Sequence, residues 1–362
     1  SSGTPILYPI NGVVAYTPNS TVYDPNLKPQ NTVSYEFGVD LTFFKGLVNL
    51  NYTYSRQNVK DQIFSVPLAS STGSASLVTN GGSIHTNAHE LTLGVNPIKT
   101  KNFTWDFGFN FSKIDNFVDK LAPGVNSIFL GGFTEPQVRA GIGDKFPVIY
   151  GISFLRNEAG QIVVDEDGMP QSGEEKVIGK VSPDFRLGFN TAFTVYKFRL
   201  SAVFDWKNGG QMYSGTVGLL DYYGKSKRSG DYRKSESFLF ELPAVKVTGT
   251  DSNGKPTYAP NDIQIKGSDA QTYFSNMNNI SESMIYDNSF IKMRELALSY
   301  PIVSKSSIKV NVNVFARNII VWSKMQGLDP ESTQGNNNMS GAFERFSLPG
   351  AASYGFGVNL NF

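Results

Sequence analysis

Cysteine is missing from all 362 residues. That excludes a disulfide framework and any thiolate-held metal. Histidine occurs twice, at His85 and His89. His89-Glu90 is not followed by a second histidine at zinc-helix spacing, so a metallopeptidase is excluded. Charge is scarce: 17% of residues, with a net charge of +1, against about 25% in an ordinary soluble domain. No field of one sign argues for nucleic acid or an acidic partner. No apolar run approaches the ~18 residues of a spanning helix. A helical membrane protein is therefore excluded, whereas a membrane barrel, whose strands alternate, is not. Ser1-Ser2-Gly3-Thr4-Pro5 carries neither an initiator methionine nor a charged-then-apolar leader, which suggests a mature chain or part of one. There is no Gly-x-Ser-x-Gly elbow and no phosphate-binding loop, and Gly141-Ile142-Gly143-Asp144 lacks the third glycine of a dinucleotide fingerprint. The expectation is a protein that is not an enzyme.

What the sequence has in abundance is aromatic residues, 27 Phe, 17 Tyr and 3 Trp, and 35 glycines. They fall in a period of two. Val33, Tyr35, Phe37, Val39, Leu41 and Phe43 alternate with Ser34, Glu36, Gly38, Asp40 and Thr42; Phe103, Trp105, Phe107, Phe109 and Phe111 alternate with Thr104, Asp106, Gly108, Asn110 and Ser112. Such alternation is a strand with one apolar and one polar face. It recurs along the chain and predicts nine strands near 33–44, 47–63, 89–97, 103–115, 184–196, 198–212, 289–300, 308–323 and 353–362, in an all-β antiparallel protein without an amphipathic helix. In the seventh, Ile291 and Met293 share one parity and Leu296, Leu298 and Tyr300 the other. A β-bulge near Arg294-Glu295 would cause that switch.

The connections alternate in length. Lys45-Gly46, 98–102, Tyr196-Lys197 and 301–307 are short; 64–88, 116–183, 213–288 and 324–352 are long. A soluble β-sandwich also alternates its strands. The aromatic apolar face, the Asn/Asp/Thr/Ser/Gly polar face and the regular loop asymmetry favour a transmembrane β-barrel. If the long loops are extracellular, residues 1–32 form an extracellular segment, 33–362 form barrel wall, and the chain ends in the periplasm. Gly357-Val358-Asn359-Leu360-Asn361-Phe362 alternates and finishes on an aromatic. Gly357, Leu360 and Phe362 thus resemble a C-terminal signal read by the outer-membrane assembly machinery.

Several segments, in order and spacing, resemble the C-terminal part of the SusC/RagA family of TonB-dependent outer-membrane transporters. They are Asn26-Leu27-Lys28-Pro29-Gln30, Ser34 to Gly38, Val59-Lys60-Asp61-Gln62-Ile63, Val177-Ile178-Gly179 with Pro183-Asp184-Phe185, and Gly209-Gly210-Gln211-Met212-Tyr213. Phe290-Ile291-Lys292-Met293-Arg294, Ala316 to Trp322 and Gly327-Leu328-Asp329-Pro330-Glu331 follow. The resemblance implies a barrel of about 22 strands, a plug, energy from TonB through an N-terminal region, and a SusD-like surface lipoprotein as lid. Nine strands and no plug imply an incomplete fragment, since nine strands alone leave open edges in lipid. The implied role is import of oligomeric nutrients, glycan oligosaccharides foremost and oligopeptides as the alternative. A passive porin or adhesin, or a soluble carbohydrate-binding sandwich, remains a rival.

Inward parity near the outer rim selects Asp205 and Lys207 as ligand-binding candidates. Tyr213, Tyr222 and Tyr223 in the long 213–288 segment add ring faces and hydroxyls for cargo, or else pack the loop or meet the lid. Arg317 is inward and suits the plug. Trp105, Trp206 and Trp322 are outward and suit interface anchors rather than sugar platforms. Asp165 and Asp167 offer a weak Ca²⁺ site, or a solvated turn, because the stretch departs from EF-hand spacing. No resident cofactor is otherwise expected.

Overall fold

The computed structural model describes residues 4–5, 16–17, 20–122, 124–304, 308–325, 327–334 and 341–361. Nine strands form one continuous antiparallel wall: β1 (Asn31–Phe43), β2 (Val48–Pro67), β3 (Ser76–Lys99), β4 (Phe103–Leu121), β5 (Phe185–Val195), β6 (Phe198–Asn208), β7 (Phe290–Ser304), β8 (Lys309–Ser323) and β9 (Ser353–Asn361). Each pairs with its sequence neighbour, so spatial order equals chain order. A short strand, Thr21–Tyr23, joins β3 in parallel and ties the N-terminal segment to the wall. Among the described residues no helix is long and apolar enough to cross a membrane.

Paired residues share a face, so the register follows the apolar set from strand to strand. One row runs Phe109–Phe189–Phe204–Met293–Ile319; another runs Leu41–Leu50–Leu93. Phe189 stacks on Phe204 at 4.6 Å and lies 6.3 Å from Phe107. Asp106 meets Asn96 and Arg199 on the opposite face. These phenylalanines are half-buried rather than exposed, because neighbouring rings cover one another. At the chain's two wall edges little covers the apolar side: Phe37 is 69% and Phe356 81% exposed. The bulge falls where parity requires it. Val203 faces Glu295 while Phe204 faces Met293, leaving Arg294 as the extra residue.

Three expectations need correction. The connection expected at 64–88 shrinks to 68–75, because β2 and β3 stay paired out to Pro67 and Ser76. The segment 116–183 is not a loose loop. Strands 127–132, 137–141, 148–154 and 172–180 build a separate four-stranded sheet. The segment 213–288 holds helices where none was expected: α1 (Gly215–Tyr222), α2 (Lys227–Lys234) and α3 (Ala270–Asn278). Ser214 and Ser226 accept from Val217 N and Ser229 N, capping the first two. Phe154, Phe240, Ile265, Tyr273, Phe274 and Met277 bury between these segments, so both connections share one apolar core.

Candidate functional site

The polar face of the wall and the folded connections meet at the end of β6–β8. Lys292 and Arg294 project from β7 on that face, beside Asp205 of β6. The 324–352 connection returns over them and presents Asp329 and Glu331. Lys292, 1% exposed, donates to Asp329 at 2.7 Å and to Glu331 at 2.8 Å. Arg294 donates to both oxygens of Glu331 at 2.7 Å and to Asp205 at 2.5 Å. Gly350 N and Glu331 N complete the shell of Asp329. Hydrogen bonds from Arg294 hold Glu331 far below the usual carboxylate range, at about 2, against the upward push of burial. Burial likewise pushes Asp329 up, and the Lys292 ammonium with two backbone amides wins, so its pKa is lowered. The arrangement clamps a connection against the wall. Two cations two residues apart on a strand meet two carboxylates two residues apart on a loop.

A second junction lies at Gly209-Gly210. Both take positive φ, 72° and 77°. A side chain at Gly209 would strike Asp184, and one at Gly210 would strike the Val181 carbonyl, so the tight turn out of β6 accepts only glycine here. Gln211 accepts from Lys180 N, and Asn288 N donates to Gly210 O. Lys207 is buried with its stem against Gly210.

Above these, α1, α2 and the residues Lys324, Met325, Gly327 and Leu328 border a cleft of about 640 Å³. Leu220, Tyr232, Tyr286 and Leu328 supply apolar and ring surface. Its charged groups are matched internally: Arg228 bonds Asp221 and Glu241, Lys227 bonds Asp231, and Lys324 bonds Asp287. Burial would lower the Arg228 guanidinium, but the hydrogen bond to buried Asp221 and the charge of Glu241 raise it. Burial also pushes the Tyr286 hydroxyl up to about 12.

The structure brings some of the expected residues together. Asp205 belongs to the ionic clamp. Tyr213 lies deeper, its ring edge-on to Phe343 at 5.8 Å, and burial raises its hydroxyl. Tyr222 and Tyr223 pack edge-to-face at 4.9 Å at the end of α1 and do not border the cleft. Arg317 bonds Glu295 of β7 at 2.7 Å and remains half-exposed on the polar face. Asp165 spends one carboxylate oxygen on Asp167 N and Met169 N, which makes a turn. Among the described residues no group of three or more acidic or histidine side chains is placed to hold a metal. Gly357 faces Asn313, Leu360 points outward beside Val310, and Phe362 lies outside the described residues. Sequence reasoning missed Lys292, Arg294, Asp329 and Glu331 as a unit, although the two segments that carry them had been singled out. It also missed Glu344, a fully buried carboxylate held by Ser214 at 2.7 Å and Thr216 at 2.5 Å.

A family model described as TonB dependent receptor-like, beta-barrel, matches residues 3–280. TonB-dependent receptor P3 of Formosa agariphila is 23% identical over 98% of this chain, and TonB-dependent receptor SusC of Bacteroides thetaiotaomicron is 22% identical over 98%. The chain spans 36% and 34% of those two proteins. Among solved structures, one described as the RagAB peptide transporter superposes with a TM-score of 0.68 at 19% identity, over 99% of this chain and 38% of its own.

Proposed function

Because this chain belongs to the TonB-dependent receptor-like β-barrel family, we infer that it forms barrel wall in an outer-membrane importer driven by TonB. Its long connections face the cell exterior and its C-terminus the periplasm. The cargo is an oligomeric nutrient held between these connections and a SusD-like surface lipoprotein. One observation carries the reading: a continuous sheet, apolar on one face and polar on the other, bears a folded mass of connections clamped at a single end of its polar face. No covalent chemistry is needed. Cargo binds, TonB pulls on a plug supplied by the rest of the protein, and a path opens.

Glycan oligosaccharides are the favoured cargo. The cleft beside α1 and α2 presents ring and aliphatic surface, and its charges are paired among themselves. That suits uncharged hydroxylated rings better than peptides with charged termini. The oligopeptide reading is the alternative. Uptake of labelled oligosaccharide and labelled oligopeptide by cells carrying the full-length protein separates the two. Loss of oligosaccharide uptake without TonB, and its slowing on deletion of 216–236, are expected. Uptake that persists without TonB would make the barrel a passive pore.

A further inference from the structure

On the outward face of the wall the apolar band stops at one level. Across β2, β3 and β4 the outward residues run Tyr52, Leu91 and Phe111, then Tyr54, His89 and Lys113, then Arg56, Asn87 and Asp115. The next row is Asn58, His85 and Phe117. Toward the short turns the same face carries Leu50, Leu93 and Phe109, then Val48, Val95 and Phe107. Side chains of the Arg56 row therefore project sideways just above the band that meets acyl chains. Tyrosine and histidine mark the boundary, with the Tyr52 hydroxyl 2.9 Å from His89 Nδ1.

The charges at this level are not equally matched. Asp115 is held by Lys145 at 2.9 Å and approached by Lys113 at 3.8 Å, and Asp119 bonds His85 at 2.7 Å. Arg56 instead rests on neutral amides: its Nε donates to Asn58 Oδ1 at 3.2 Å, and Nη1 reaches Asn87 Oδ1 at 3.5 Å. Tyr54 donates to the same Asn87 oxygen at 3.3 Å. No carboxylate neutralises Arg56 among the described residues. The amides hold the guanidinium in place and leave its Nη2 hydrogens unspent. Lys113 keeps 43% of its side chain exposed. It lies two strands across and one row along from Arg56, about 12 Å between backbones at a spacing near 4.8 Å per strand and 3.4 Å per residue, so the two long side chains can flank one tetrahedral anion.

We propose that Arg56 and Lys113 bind the phosphate of an anionic glycolipid headgroup in the leaflet on the long-connection side. The inference rests on the outer-membrane reading above. Continuity argues for a lipid over a free ion. A molecule whose phosphate meets Arg56 lays its chains on Leu91, Phe111, Leu93 and Phe109 directly below, whereas inorganic phosphate gains nothing from that band. Charge complementarity and a preset guanidinium supply the rest.

The test uses full-length protein in phosphatidylcholine nanodiscs doped with lipid A, with retained lipid A counted by native mass spectrometry. The double variant Arg56→Gln/Lys113→Gln should lower retention about tenfold or more, the loss of charge-assisted hydrogen bonds. Lys255→Gln, on a hairpin of the folded connections, should leave it unchanged, and Arg56→Lys/Lys113→Arg should keep most of it. Equal retention by the double variant overturns the site. So does equal loss in Lys255→Gln, or displacement of lipid A by excess inorganic phosphate. Heat-modifiable mobility of each variant shows that the barrel has inserted. A wild-type chain that extracts without detergent would defeat the membrane reading itself, an outcome separable from a headgroup site that fails in an inserted barrel.

Discussion

Lys292 is the residue whose removal should be felt most. Its ammonium is buried between Asp329 and Glu331, and the Asp329 side chain is itself only 5% exposed. Lys292→Met would leave Asp329 without a cation. Breaking a buried pair from one side costs about 3–5 kcal/mol, so thermal unfolding of the detergent-solubilised protein should shift down by that equivalent. Lys292→Met/Asp329→Leu should recover much of the loss, since no unpaired charge remains. Acid should act late on the same clamp. Glu331 sits at about 2 in the folded protein, below its ordinary 4.5. A depressed carboxylate contributes its full stabilisation above the unfolded value and loses it as pH falls through the folded one. The 324–352 connection should therefore stay docked through pH 4.5 and release only toward pH 2. Fluorescence of Trp322, in a variant with Trp105 and Trp206 replaced by Phe, would report this; a transition centred above pH 4.5 would contradict it. Parity alone was enough to select Asp205 for the polar face. It could not select Asp329 or Glu331, whose position comes from a loop folding back onto β7, and loop paths leave no periodic trace in a sequence.

At the scale of elements, strand order, register and the Arg294 bulge were legible because a half-apolar strand writes its facing directly into a period of two. The bulge also gives a sharp test. Deleting Arg294 would restore a regular pairing in which Glu295 stays on the polar side and Leu296 and Leu298 stay outward, because only the extra residue is lost. Arg294→Ala keeps the extra residue and loses only the bonds to Glu331 and Asp205. Both variants should therefore still give heat-modifiable barrel at lower stability; a deletion that fails to insert where the substitution inserts would mean that Arg294 is not the extra residue. The helices were illegible for a physical reason. α1 has small or buried residues on several sides, Gly215, Thr216, Gly218 and Asp221 among them, and α2 is mostly charged. Neither shows a clean apolar stripe; each starts at a capping serine, and α2 packs Tyr232 onto the aromatic cluster around Tyr273. The reach of β3 back to Ser76 was missed because its outward residues turn polar there, at Asn87 and His85, and the alternation fades while the pairing continues.

For the molecule as a whole, the governing fact is that β1 and β9 each pair on one side only among the described residues. Their outward residues include Phe37 and Phe356, and each strand exposes a row of unpaired amides and carbonyls. Open edges are not tolerated in lipid and template aggregation in water. Residues 1–362 expressed alone should therefore fail to give a heat-modifiable band and should aggregate when detergent is withdrawn. The same residues within a full-length relative-sized protein should give that band. A monodisperse, detergent-free preparation of the isolated segment would overturn the membrane assignment.

The pairing of Lys292 and Arg294 with Asp329 and Glu331 also sets a rule for grafting. Anyone exchanging the connection after β8 for that of a relative would be transplanting half of a two-pronged connector without its socket. The graft would seat only if its donor brings two acids at alternate positions, or if the host's β7 is recoded with it. Loop swaps among barrels of this family should therefore move residues 290–294 and 327–331 as one cassette.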